Sequence, residues 1–409
     1  MTAPAQGSLV EFDVNDIAHG GEGVGRVAGK AHFVPGVIPG ETVVGRILKD
    51  GGSWARAELV EVREAAPTRI EPLCPHAEVC GGCQWQHAEY QSQLNWKRNT
   101  VVSQLQHIGK IAEPPVHDII AAGPAFAYRN RMDFKVRQGK PAMHRARSHD
   151  LVPLDVCELL DPRLRTIFDS LGDLAEVDRI TLRCGTNTGD ALVIVDGLLP
   201  EQAGDWGAAL AVQQGKSVEG VDGAARIREE ILGHRYRITG NAFFQNNSYG
   251  AAALVELVEA VLEPTERDTL LDAYAGVGLF GVALGSKVDR VIAVESNKTA
   301  IDDLRRNLSD ANVDHRVIRG KMERVAADLD EYPDLAVVDP PRTGLGEIGV
   351  AAVTAGDPYK LAYVSCDPAS LARDTLLLAE YGYQLQDVTP VDLFPQTFHI
   401  EAVASFHLA

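Results

Sequence analysis

The stretch Thr269-Leu270-Leu271-Asp272-Ala273-Tyr274-Ala275-Gly276-Val277-Gly278-Leu279-Phe280-Gly281 restricts the fold of this chain more than any other. A short apolar run enters a turn with three glycines, and a helix-forming segment follows. A strand that feeds a helix this way returns to its sheet by a crossover, which places the next strand parallel to it. The same rhythm recurs from Ser248 to the end: Ala251 through Leu262 reads as a helix, and apolar runs end at Glu295, Asp339 and Ser365. The C-terminal part is therefore expected to be an α/β domain, a doubly wound, Rossmann-like sheet with ligands above the C-terminal ends of its strands.

Those ends carry the chemistry. Gly276, Gly278 and Gly281 spell G-x-G-x-x-G, and Glu295 closes the following strand where an acid can accept a ribose hydroxyl. Both NAD and S-adenosylmethionine use such an acid, so these residues leave the two open. Asp339-Pro340-Pro341-Arg342 at the next strand end favours the second, because paired prolines stiffen a wall for a flat ring and occur in methyltransferases of planar bases. Cys366 sits where the run Tyr363-Val364-Ser365 meets a helix opened by Pro368. A thiol at such an N-terminus is expected to ionise more readily than a free one, whose pKa is about 8.5. Glu401 lies in the apolar run after Phe398, where a carboxylate is raised toward neutrality and can act as a base, with His399 as its rival.

The N-terminal part has a different texture. From about residue 8 to 65, short alternating runs and glycine turns suggest a five-stranded, OB-like β-barrel. Next comes Cys74-x5-Cys80-x2-Cys83 in a glycine-rich loop. Three thiolates this close repel unless a cation holds them, so zinc or an iron–sulfur cluster is expected, with Cys157 as fourth ligand. Cys184 reads as a buried strand residue. Residues Glu89 to Ile108 read as a helix with Leu94, Val101, Val102, Leu105 and Ile108 on one face, and residues 130–240 as a mixed α+β insertion. The expected domains are thus 7–66, 67–240 and 241–409.

The net charge of −18 argues against a nucleic-acid partner until its distribution is considered. Residues 1–150 hold 17 Lys+Arg against 16 Asp+Glu, and the acidity belongs to the remainder. The segment from Tyr128 to Arg147 is basic, with Arg129, Arg131, Arg145 and Arg147 as candidate RNA contacts. Arg342 joins them beside the Pro-Pro turn. No apolar run approaches a membrane span and the first eight residues lack a signal peptide, so the expected location is the cytoplasm. A monomer, with no membrane or DNA partner, is the default.

In this order, the four cysteines, Phe243-Phe244-Gln245-Asn246-Asn247, the Asp272–Gly281 turn, Asp339-Pro340-Pro341-Arg342, Ser365-Cys366-Asp367-Pro368 and Phe398-His399-Ile400-Glu401 together resemble the RNA (uracil-C5)-methyltransferase family over nearly the whole chain. The barrel is similar to that family's TRAM domain. The resemblance implies a [4Fe-4S] cluster on Cys74, Cys80, Cys83 and Cys157. It also implies S-adenosylmethionine at Gln245, Tyr274, Leu279, Glu295 and Asp339, Cys366 as nucleophile and Glu401 as base. Leu279 stands where the family often has a polar residue, and Asp367 where Asn is usual. The implied reaction is methylation of uridine C5 in structured RNA, 23S ribosomal RNA before tRNA. Two other readings remain: a base-amino methyltransferase using Asp339-Pro340-Pro341, and a non-catalytic, metal-stabilised RNA-binding protein.

Overall fold

The computed structural model describes residues 6–326, 329 and 331–409. The N-terminal residues Met1–Ala5, on which the signal-peptide reading partly rested, lie outside them. The chain divides into two compact units: 1–100 with 144–150 and 394–398, and 101–143 with 151–393 and 399–409.

In the first unit, β1 (Leu9–Ile17), β2 (Gly23–Val27), β3 (Lys30–Val34), β4 (Thr42–Asp50) and β5 (Trp54–Glu64) close a barrel in the order β1-β2-β3-β5-β4. Alternation along these strands sends Val10, Phe12, Val14, Val34, Val43, Ile47 and Ala57 into one small core. Past the barrel, the Trp85 indole is buried and donates to the Gly21 carbonyl at 3.0 Å. Helix α1 (Tyr90–His107) starts in this unit. It ends one residue short of the predicted Ile108, which is exposed.

The second unit holds two sheets and a hairpin. The strands β7 (Arg131–Arg137), β8 (Lys140–His144), β9 (Leu151–Pro153), β10 (Val177–Cys184), β11 (Ala191–Gly197), β12 (Ala209–Gln214) and β13 (Ser217–Gly220) form a sheet in the order β13-β12-β11-β10-β7-β8-β9. Helix α2 (Pro162–Ser170) packs on β10, and Cys184 is buried at the end of that strand, as expected. The hairpin is β14 (Arg226–Ile231) with β15 (His234–Thr239).

The sheet that matters for chemistry contains β6 (Ile120–Ala121), β16 (Thr269–Ala273), β17 (Arg290–Glu295), β18 (His315–Arg319), β19 (Leu335–Val338), β20 (Lys360–Ser365), β21 (Tyr383–Asp392) and β22 (Glu401–Leu408). Their order is β18-β17-β16-β19-β20-β22-β21-β6. The helices between them are α3 (Ser248–Leu262), α4 (Leu279–Leu284), α5 (Lys298–Asp310), α6 (Met322–Val325), α7 (Gly346–Val353) and α8 (Pro368–Glu380). The first five strands are parallel, because each pair is joined through a helix. The sheet departs from the all-parallel expectation at its far end, where β22 runs antiparallel between β20 and β21. No helix separates β21 from β22, so the second strand has to run back along the first.

Candidate active site

Cys366 and Glu401 are brought together by strand register. The antiparallel pairing of β20 with β22 runs to Ser365 opposite Ala402, and Cys366 and Glu401 lie one residue beyond it on either strand. On the other side β19 is β20's parallel neighbour, with Val338 opposite Tyr363, and Asp339 follows at its C-terminal end. Three strand ends therefore present a thiol and two carboxylates to one place. This position is the crevice at which open parallel sheets bind ligands.

The electrostatics of that place differ from the expectation for Cys366. Its thiol is pushed up to about 12, first by burial, then by the negative fields of Glu401 and Asp339. Arg342 acts the other way and Asp367 adds slightly to the rise. Asp367 is the N-cap of α8 and its carboxylate accepts from the Ala369 amide at 3.3 Å. The thiol is raised where the sequence led one to expect it lowered, and Arg342 is the cation that opposes the rise. Glu401 is buried and its carboxyl is held well above the usual range by burial and by Asp339, with Arg342 opposing. Burial also raises Asp339 to about 7. Crowding two acids into one dry pocket makes each easier to protonate, and a group near neutrality is what proton transfer needs. The Arg342 guanidinium donates to His399 Nδ1 at 2.6 Å, so the rival base is engaged by an arginine.

The glycine turn forms the other half of the crevice. Gly278 caps α4 with φ +96, a conformation that favours glycine, and the buried Asp272 carboxylate accepts from the Gly281 amide at 2.8 Å. Burial raises Asp272 to about 7 in spite of that bond, with Asp339 and Glu295 contributing. Glu295 Oε2 accepts from the Gly276 amide at 2.8 Å, and its Oε1 from the amides of Ser296 at 2.6 Å and Asn297 at 2.5 Å. Tyr274 adopts φ +63, and its hydroxyl donates to Glu323 at 3.1 Å. Gln245 Nε2 donates to Asp339 Oδ2 at 3.5 Å. Leu279 opens α4 and is buried, its carbonyl accepting from the Tyr236 hydroxyl. Gln245, Tyr274, Glu295 and Asp339 therefore surround one set of strand ends, and Leu279 follows the glycine turn directly as the buried first residue of α4.

Sequence reasoning missed two supports of this site. The buried Asn130 side chain donates to the Gln245 carbonyl at 3.1 Å and to Ser248 Oγ at 2.8 Å, holding the Phe243–Asn247 loop at the start of α3. The fully buried Asp374, on α8, receives the amides of Leu345 and Gly346. Neither carried a signal in the sequence, since the partners of each lie far along the chain.

Cys74, Cys80 and Cys83 belong to the first unit and Cys157 to the second, and all four are partly buried. The Gly82 amide donates to Cys80 Sγ at 3.4 Å, and Cys80 bridges to Arg145. Among the described residues, no three His, Cys, Asp or Glu side chains are grouped to hold a metal ion. Arg131 is engaged by Asp133 at 3.2 Å, Arg147 by Glu22 at 2.7 Å, and Arg129 Nη1 contacts Met132 Sδ at 3.4 Å. Arg145 is exposed. No described helix is long and apolar enough to cross a membrane.

Comparison with known proteins finds relatives over nearly the whole chain. The family model described as tRNA (uracil-5-)-methyltransferase matches residues 221–406, and the TRAM domain model matches residues 5–60. A protein of Nostoc sp. named as an uncharacterized RNA methyltransferase is 32% identical over 98% of this chain and 96% of its own length. One from Streptomyces avermitilis, named likewise, is 33% identical over 97% of this chain and 98% of itself. The crystal structure of Pyrococcus abyssi tRNA (uracil-54, C5)-methyltransferase, in complex with S-adenosyl-L-homocysteine, superposes with a TM-score of 0.79 at 27% identity. It covers 97% of this chain and 100% of its own.

Proposed function

The chain belongs to the RNA (uracil-5-)-methyltransferase family, an S-adenosylmethionine-binding RNA methyltransferase with a TRAM barrel, and from that premise we propose that it methylates C5 of a uridine in structured RNA through a covalent adduct on Cys366. The observation that carries this reading is the β20–β22 register, which sets Cys366 across from Glu401 with Asp339 on the adjoining strand. Uracil C5 is a poor nucleophile. Addition of the Cys366 thiolate to C6 moves the ring electrons onto the C4 carbonyl and makes C5 nucleophilic. When bound, S-adenosylmethionine supplies an electrophilic methyl group and a positive charge; Gln245, Tyr274, Leu279, Glu295 and Asp339 would hold it. After C5 has gained the methyl group, Glu401 removes the C5 proton, the thiolate leaves C6, and the aromatic ring is restored. Pro340 and Pro341 wall the ring, and Arg342 favours the thiolate by its charge.

Ring attack requires the base to be out of its stack, which fits single-stranded loops of folded RNA. Within this reading 23S ribosomal RNA is the favoured substrate, because the barrel and the four cysteines together resemble the ribosomal enzymes. The activity of the Pyrococcus neighbour on a tRNA uracil supports tRNA as the second. Arg129, Arg131, Arg145 and Arg147 are assigned to RNA contact. Cys74, Cys80, Cys83 and Cys157 would hold a [4Fe-4S] cluster in a structural or RNA-positioning role; four thiols, one with an amide directed at its sulfur, are what supports this. The division into 7–66, 67–240 and 241–409 belongs to the same reading.

The test is Cys366→Ala, assayed by mass mapping of 5-methyluridine in ribosomal and transfer RNA. Methylation is expected to fall by about a thousandfold or more. Glu401→Gln is expected to accumulate methylated RNA still bound to protein, since only elimination is blocked. Retained activity in Cys366→Ala would sink the covalent route, and methylation at an exocyclic nitrogen would replace it with the base-amino reading.

A further inference from the structure

The turn after the Pro-Pro wall is tied to one helix at four points, on either side of Gly344. Ser370 Oγ donates to the Arg342 carbonyl at 3.1 Å, and Arg373 Nη2 to the Thr343 carbonyl at 2.7 Å. The Leu345 amide donates to Asp374 Oδ2 at 2.7 Å and the Gly346 amide to Oδ1 at 3.2 Å. Asp374 is 0% exposed and also accepts from the Tyr363 hydroxyl at 2.8 Å and from Arg373 Nη2 at 2.7 Å. Gly344, at φ +71, is wedged into this arrangement; a Cβ there would lie 2.4 Å from Asp374 Oδ2 and 2.6 Å from Arg373 Nη2.

All three tying side chains stand on α8, whose first residue, Pro368, follows Cys366 by two positions. The tied turn begins three residues after Asp339. A buried carboxylate with this many donors is more than a packing residue, since leaving it unmatched is costly. A fold needing only a helix cap or a loop anchor would be served by one of these bonds.

We propose that Asp374, with Arg373 and Ser370, is a positioning residue that locks the turn carrying Arg342 to the helix beginning beside Cys366, so that thiol and ring-binding wall move as one body. This rests on Cys366 being the nucleophile. Misplacement of about 1 Å between reacting groups lowers a rate by about a hundredfold, which is the kind of loss the tie prevents.

The experiment measures single-turnover adduct formation with RNA bearing 5-fluorouridine, at saturating RNA and S-adenosylmethionine, in Asp374→Asn, Arg373→Ala and Arg373→Lys. Hydrogen exchange at the amides of Leu345 and Gly346 is followed alongside. Asp374→Asn keeps one acceptor oxygen and places an NH2 where the other was, so it is expected to speed exchange at one of the two amides and to slow the adduct rate constant by about a hundredfold, with its amplitude and S-adenosylmethionine affinity kept. Arg373 is 45% exposed, so its variants should fold. Alanine there should slow adduct formation by about tenfold, with partial recovery in lysine. Unchanged rate constants in Asp374→Asn and Arg373→Ala, or reduced amplitude at an unchanged rate, would overturn the proposal. Wild-type protein that forms no adduct overturns the nucleophile reading instead, and with it the catalytic meaning of the tie, whatever the amides do.

Discussion

At the scale of single residues, the site depends on Arg342 to a degree the sequence did not reveal. A cysteine before a helix-opening proline looks activated, and the chain order of Asp339, Cys366 and Glu401 was readable because each closes or opens an apolar run. Their mutual field was not readable, since it depends on strands that are far apart in sequence but neighbours in the sheet. The thiol at about 12 faces Glu401, Asp339 and Asp367, with Arg342 as the opposing cation. The reactive form is the thiolate, so the rate should rise with pH until the thiol ionises. Removing the cation raises the thiol and Glu401 together. Arg342→Ala should therefore displace the pH–rate profile of adduct formation to higher pH, with about tenfold lower rates at pH 7 and part of the loss regained at pH 9. A profile that keeps its position would exclude this electrostatic role.

At the scale of elements, α8 is started by a residue that also touches the chemistry. Asp367 caps the helix, and its charge is a small burden on the thiol. An asparagine accepts the same amide bond without the charge. Asp367→Asn should then leave thermal stability unchanged within about 0.5 kcal/mol while speeding adduct formation at neutral pH. Asp367→Ala, which loses the cap, should cost about 1 kcal/mol. Equal adduct rates in wild type and the asparagine variant would show that the charge is screened. The strands bearing the site were legible because β16, β17, β19 and β20 are buried apolar runs with helices between them. The two-residue β6 was not: its pairing with Val391 and Asp392 has no signature in Ile120-Ala121 itself. Asp374 was likewise hidden, because Arg373-Asp374 on a helix reads as an ordinary solvated pair.

At the scale of the whole molecule, the acidic balance and an RNA partner coexist because the excess of negative charge belongs to residues 151–409, while residues 1–150 are nearly balanced, with 17 Lys+Arg against 16 Asp+Glu. The cysteine reading makes a prediction at this scale. Protein purified without oxygen should carry about four iron atoms per chain, and Cys80→Ser should lose iron and lower the melting temperature without weakening S-adenosylmethionine binding. Stoichiometric zinc in place of iron would overturn it.

The first unit contains Phe394–Phe398 as well as residues 1–100. In that unit Lys97 donates to the Phe394 carbonyl, the Gln84 and Trp85 amides to the Gln396 carbonyl, and the Gln93 side chain to that of Gln396. Protein domains commonly fold in order as the ribosome delivers them. Here the barrel can close early, but the unit that contains it waits for a five-residue segment delivered just before the final strand. Nascent chains should therefore hold Trp85 and Lys97 incompletely satisfied for almost the whole of synthesis, and a shortened chain ending before residue 394 would never complete the part that was made first.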